Sequence, residues 1–256
     1  MAFKAPIGVF KMLNFLERAS AYAQGKGYGA ATIEKEVSLL SSFLKSRARL
    51  AIDIGGNVGH YTAELRRTNP ELEIHTFEPS AENVKKLSAR FKSDSLITLV
   101  PFAVSSESGS ATLFSNEAGS GLGSLTKRRL DHFNIAFDIN ETIRTIRFED
   151  YWRDQLQGRP LDVVKIDVEG HELAVLTGLG EALKATQVLQ FEFGGCNIDT
   201  RTYFQDFWYF FKEGEFDLYR ITPLGPQRIL NYAESDEIFA TSNYLAVNRR
   251  QIAGVS

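Results

Sequence analysis

Cysteine is almost missing from this chain: one residue, Cys196, in 256. A single thiol excludes an internal disulfide framework and fits a reducing compartment, so the cytoplasm is the expected location. The four histidines, His60, His75, His132 and His171, are too scattered for a zinc site. No run approaches the ~18 apolar residues of a membrane-spanning helix. A basic surplus is missing too. The formal net charge is −3, whereas proteins that grip phosphate backbones usually carry excess Lys and Arg, so nucleic acid drops out as the expected partner. Repeats and low-complexity segments are absent. With 43% hydrophobic and 24% charged residues, the composition excludes wholesale disorder.

The length suits one large α/β domain. The N-terminal stretch MAFKAPIGVFKMLNFLERAS is amphipathic, interrupted by Lys4, Lys11 and Glu17. No small-residue cleavage site follows an apolar core, so it reads as a docking helix and not a signal peptide. A place on a membrane surface is the minor alternative. In TIEKEVSLLSSFL, Ile33, Val37, Leu40 and Leu44 recur at helical spacing and Thr32 can cap the start. From Leu50 the pattern becomes short apolar runs: LAIDI, EIHTF, LITLV, LDVVKID, QVLQFEF, FDLYRI and EIFATSNYLAV. Helical stretches around 58–67, 80–91, 171–184 and 200–213 separate them. That alternation predicts βαβ units and a mostly parallel, seven-stranded sheet whose last two strands form an antiparallel edge. The expected division is a helical extension over 1–48 and the α/β domain over 49–250. The N-terminal helices offer a surface for homo-oligomer formation.

Residues 105–148 break the rhythm. SATLFS and TIRTIRF read as extra strands, and between them GSGLGSLTKRRLDHFN is glycine-rich, then basic. A connection that long is usually functional or disordered, and it reads as a lid or substrate loop. Lys127, Arg128 and Arg129 would either meet an acidic substrate or form a solvated face.

The strongest local signal is Asp53-Ile54-Gly55-Gly56-Asn57-Val58-Gly59-His60-Tyr61, a strand entering a glycine turn and then a helix. Glycine permits a sharp turn and close backbone approach to a ligand, and helix-start N–H groups favour an anion. That anion would be a pyrophosphate in a nicotinamide enzyme and a methionine carboxylate in a methyltransferase. The spacing is not G-x-G-x-x-G. Asp53, two residues before the first glycine, would repel a pyrophosphate and suits the ammonium and sulfonium of S-adenosylmethionine. Glu78, in Phe77-Glu78-Pro79, lies about twenty residues further on, where an acid accepts bonds from ribose hydroxyls. Phe102, Ala103 and Val104 end the third strand, placed to flank an adenine or to fill core. Tyr61 would pack over the cofactor.

A third segment, Val164-Lys165-Ile166-Asp167-Val168-Glu169-Gly170-His171-Glu172, completes a set that resembles the FkbM family of methyltransferases. That family shows a D-x-G-A-N-x-G turn, a strand ending F-E-P and a K-I-D-V-E-G-x-E segment. The resemblance spans about residues 50–195, with Gly56 where alanine is usual. It implies a Rossmann-like class I methyltransferase fold, S-adenosylmethionine as donor and S-adenosylhomocysteine as product. It also implies a hydroxyl acceptor on a sugar, glycolipid, polysaccharide or small natural product.

The cofactor set is then Asp53, Gly55, Gly56, Asn57, Gly59, Tyr61, Glu78, Pro79, Ala103, Val104 and Asp167. A hydroxyl acceptor needs a base, and His171, Asp167 and Glu169 are the candidates at the fourth strand's end. His171 has the intrinsic pKa for the task, or is simply a helix-start histidine. Glu169 and Glu172 suit a helix N-terminus without any catalytic role. Glu192 is another strand-end acid on the same rim, able to orient an acceptor or help hold a divalent ion. A metal is admitted but not favoured. The aromatic set Tyr203, Phe204, Phe207, Trp208, Phe210 and Phe211 reads as core, and Cys196 as an unreactive loop thiol. The competing readings are an NAD-dependent oxidoreductase and a non-catalytic nucleoside-binding relative.

Overall fold

The computed structural model describes residues 7–29, 32–44 and 46–252. The first six residues of the expected docking helix lie outside that range. Helix α1 (Ile7–Ala23) stands at the N-terminus and α2 (Ile33–Leu40) follows. Thr32 does not cap α2 with its hydroxyl. Its Oγ1 donates instead to the Glu36 carboxylate one turn on, because that acid is buried and needs donors. Leu44 lies beyond the helix end, packed at its margin.

The alternating runs form strands and helices in the expected order. They are β1 (Leu50–Ile54), α3 (His60–Thr68), β2 (Glu73–Phe77), α4 (Ala81–Arg90), β3 (Ile97–Val100) and β4 (Ala103–Ser105). Then come β5 (Gly109–Ser115), β6 (Ile139–Arg147), α5 (Phe148–Asp154), β7 (Leu161–Ile166), α6 (Glu172–Leu179) and β8 (Thr186–Phe193). The chain closes with α7 (Cys196–Thr200), α8 (Phe204–Glu213), β9 (Phe216–Thr222), β10 (Gly225–Ile229), β11 (Ser242–Asn248) and α9 (Arg249–Ile252).

The main sheet has the order β10-β9-β11-β8-β7-β1-β2-β3. Its β3, β2, β1, β7 and β8 strands run parallel, and β11, β9 and β10 pair antiparallel at one end. This is the Rossmann-like arrangement, with strand order reversing beside β1. It holds eight strands where seven were expected. The extra one, β10, reads GPQRI and is largely exposed, so no apolar period announces it. The last expected run is strand only from Ser242; as β11 it pairs antiparallel with β9, as expected, lying between β8 and β9 with β10 added outside them. SATLFS and TIRTIRF do pair, as the antiparallel β5–β6 ladder of a second sheet ordered β4-β6-β5.

Strand registers sort side chains into transverse rows, because alternate residues share a face. Phe77, Ile54, Ile166, Phe191 and Tyr244 are mutual partners and belong to the core between the sheet and α6 and α8. The α8 aromatics Phe204, Phe207, Trp208 and Phe211 are buried in that core. Thr76, Asp53, Lys165 and Gln190 form the next row back, toward α2 and α3. Two residues on, at the strand ends, Glu78, Gly55, Asp167 and Glu192 continue that polar face.

Candidate functional site

A cavity of about 320 Å³ opens at the carboxyl ends of these strands. Gly55, Asn57, Glu78, Pro79, Phe102, Ala103 and Val104 line one side. Asp167, Glu169, His171 and Glu192 line the other, and Ser120, Gly121, Gly123 and Leu125 of the glycine-rich loop roof it. The loop between β5 and β6 therefore lies over the strand ends, as a lid would. Among the described residues that line it, none is Lys or Arg.

Gly55 is required by geometry. Its φ is +87°, and a Cβ there would overlap the Asp167 carbonyl, so β1 and the segment after β7 touch at this point. The turn that follows is held from within. Gly55 and Gly56 N–H groups donate to the Phe77 carbonyl. The Asn57 N–H donates to Glu78 Oε2 at 2.8 Å, and the Ser80 N–H to Glu78 Oε1 at 2.9 Å. The turn amides of Gly55, Gly56 and Asn57 are thus spent on the protein, and the helix-start amides expected to favour an anion lie further on, where α3 begins at His60. Burial pushes the Glu78 carboxyl up to about 7, against those donors.

Four expected cofactor residues lie outside the cavity lining. Asp53 is fully buried one row below the floor, where its Oδ2 accepts from Thr62 on α3 at 2.6 Å. Its other oxygen has no hydrogen-bond partner among the described residues. Gly56 packs on Thr76, where even a methyl would collide, which accounts for glycine in the place of alanine. Gly59 caps α3 against Leu87 and Phe91. Tyr61 points away from the cavity into the α2–α3 core, and its hydroxyl donates to Gln190 at 2.7 Å. The helical period carries it to the wrong side of the turn.

Sequence reasoning gave Lys165 no role, yet it sits at the centre of the floor. It is 6% exposed, and its Nζ donates to Asp167 Oδ2 at 2.8 Å and lies 4.9 Å from the centre of the Tyr61 ring. Burial opposes its charge, but Asp167, Asp53 and Glu36 more than offset this and raise its pKa. Glu36 reaches this network from α2, accepting from Gln190 at 2.6 Å and Asn243 at 2.8 Å. The alternation K-x-D in the strand was the available signal.

At the other wall, Glu169 adopts a left-handed backbone at φ +53°. Arg128 of the lid donates to its carboxylate at 2.6 Å and lies 3.6 Å from Asp199 on α7. Ser124 donates to the Glu169 carbonyl at 2.7 Å. Arg128 is therefore a buried latch, neither a substrate anchor nor a solvated charge, whereas Lys127 and Arg129 pair at the surface with Asp138 and Asp131. Burial, then Asp167, push Glu169 up to about 8. Glu172 is wholly buried and accepts the Val168 and Gly170 N–H groups at 3.1 Å, so it builds the turn. Burial raises Glu192 as well, helped by Asp167, Glu169 and Glu172. One oxygen from each of Asp167, Glu169 and Glu192 lies within 4.8 Å of the others, close enough to share a cation, although Lys165 and Arg128 already donate to Asp167 and Glu169.

His171 precedes α6 and faces the cavity, with Nε2 3.0 Å from the Ser105 hydroxyl. Burial lowers its pKa, which favours neutral imidazole. Cys196 begins α7, buried, and burial raises its pKa, so the thiol is inert.

Residues 53–219 match the family model described as the methyltransferase FkbM domain. Among solved structures, the chain is similar to a methyltransferase FkbM from Methylobacillus flagellatus, with 15% identity and a TM-score of 0.48 over 77% of this chain. This chain spans only 43% of that protein's length. It is also similar to an O-methyltransferase from Bacillus cereus in complex with SAH (13% identity, TM-score 0.44, 96% of this chain and 94% of that one). An rRNA methylase from Streptococcus thermophilus is a further likeness (12%, TM-score 0.45, 84% and 94%). No curated protein matches the chain.

Proposed function

The chain belongs to the FkbM methyltransferase family, and from that premise we propose that it is an O-methyltransferase acting on a hydroxyl of a sugar, glycolipid, polysaccharide or small natural product. The family implies S-adenosylmethionine as donor, and membership sets aside the nicotinamide alternative. In this reading residues 49–250 form the catalytic domain and 1–48 the helical extension. The cavity fits the donor in kind. Gly55 lets β1 close onto the segment after β7 at the cavity floor, Glu78 offers a carboxylate where ribose hydroxyls would lie, and Asn57, Pro79, Ala103 and Val104 supply the remaining walls.

When bound, S-adenosylmethionine supplies an electrophilic methyl group. His171 carries the proposal for the acceptor. It is neutral, faces the cavity and is oriented by Ser105, so its imidazole can take the hydroxyl proton as the oxygen attacks. Asp167, fixed by Lys165, orients the donor's methionine end or the acceptor. Glu169 is engaged by Arg128, which makes it a lid anchor before it is a base. A lining without Lys or Arg supports neutral hydroxyl acceptors over phosphorylated ones and over nucleic acid.

The test is mass spectrometry of small molecules released from the purified protein, with calorimetric titration of donor and product. A hydroxyl-acceptor panel with labelled donor follows. Micromolar binding with methyl incorporation into a saccharide or polyol supports the reading. Absence of donor binding leaves a non-catalytic relative, label only in amines removes O-methylation, and label only in RNA removes the saccharide or small-molecule acceptor.

A further inference from the structure

Helix α1 keeps its apolar side chains in water. Val9, Met12, Leu13, Phe15 and Leu16 are 44–68% exposed, and Phe15 is the most exposed of them. A lone helix of 17 residues is marginal without a packed face. Its pattern shows what kind of face that is. Val9, Met12, Leu16, Ala19 and Ala23 recur at alternating spacings of three and four, which is a heptad seam. Leu13 and Phe15 flank the seam. Lys11, Asn14 and Arg18 gather on the opposite side, together with Phe10, which is 54% exposed there. The two alanines in the last turns let a facing backbone come close.

We propose that α1 is a self-association helix through which two copies of this chain pair along the Val9–Met12–Leu16–Ala19–Ala23 seam. A lipid surface is the other natural cover for such a helix, but it calls for a basic polar face. Here the helix carries only Lys11 and Arg18 against Glu17, a net charge of +1. The area suits a protein partner. Side chains of this size and exposure offer several hundred Å² per chain, and a standard interface takes about 800 Å² from each partner. The remainder lies next to the helix, where Tyr22 meets Tyr28 edge-on at 5.3 Å and a groove runs on to Ile238 and Ala240. This inference does not depend on the catalytic reading.

Light scattering and sedimentation equilibrium on the full chain test it. At micromolar concentration the mass should be twice 28.7 kDa. The double variant Val9→Glu/Leu16→Glu should return it to 28.7 kDa, with self-association weakened at least about 100-fold through loss of two buried apolar side chains per copy. Among the described residues nothing packs on these positions within one chain, so the melting temperature of the α/β body should hold in the monomer, while α1, left without its packed face, should lose helical signal. A wild-type monomer, or a dimer indifferent to the double variant, overturns the proposal. So does a monomer that binds phosphatidylcholine–phosphatidylglycerol vesicles and loses them in the variant, which would assign the helix to lipid.

Discussion

Glu78 shows how one side chain serves both the protein and its ligand. It clamps the Asn57 and Ser80 amides while facing the cavity. Glu78→Ala should therefore weaken S-adenosylmethionine binding by about 1–3 kcal/mol, the cost of lost hydrogen bonds to a charged group, as read by calorimetry. An unchanged affinity would remove it from the ribose. His171→Ala separates a base from a binding residue. Donor affinity should be retained while turnover of an identified acceptor falls by about 10²–10⁴, and the acid limb of the pH–rate profile should vanish with it. Sequence spacing pointed to both residues. It gave no warning that Tyr61 and Asp53 fall behind the floor, since facing is set by the depth of the turn and not by distance along the chain.

At the scale of elements, the lid was legible as an oversized glycine-rich connection, but its fastening was not. Arg128 looked like one of three equivalent basic residues. Only the fold reveals that Glu169 and Asp199, from two separate segments, converge on it. Arg128→Ala leaves Glu169 without its partner and frees the loop, so proteolytic cleavage within residues 116–138 should accelerate by at least about tenfold without global unfolding. Cleavage at the wild-type rate would mean that Ser124 and the glycine turns hold the lid unaided. The strands of the parallel core were readable to within a residue or two, whereas the last run began five residues early and β6 starts three residues before TIRTIRF. The β10 strand was not readable, because pairing with β9 holds it in place without burial.

The whole molecule carries an unusual proton balance. Burial raises Glu78 and Glu172 to about 7 and Glu169 to about 8. Each holds its proton in the folded state at a pH where the unfolded chain has released it. Stability therefore falls as pH rises from the ordinary carboxylate range through 7 to 8. The lowered pKa of His171 opposes this below neutrality but is one group against six, since burial raises Glu36, Asp53 and Glu192 too. Glu64, Glu73 and Asp94 are shifted down by Arg67, Arg159 and Arg66, and their contribution is lost on further acidification. The ligand-free protein should melt highest in mildly acid buffer, near pH 5, and several degrees lower at pH 8. Calorimetric scans across that range check this, and a melting temperature that rises steadily to pH 8 would contradict the buried acids.

The rows of the sheet have a consequence for how the chain tolerates change. Thr76 and Glu78, Asp53 and Gly55, Lys165 and Asp167, Gln190 and Glu192 are each two residues apart, and each pair brackets one apolar residue that looks the other way. The site is thus written in a reading frame of two. Slip β7 or β8 by one position, and Ile166 or Phe191 turns toward the cavity while a carboxylate is driven into the aromatic layer. Single-residue insertions or deletions within the strands should be far less tolerated than substitutions, and those in the lid should pass.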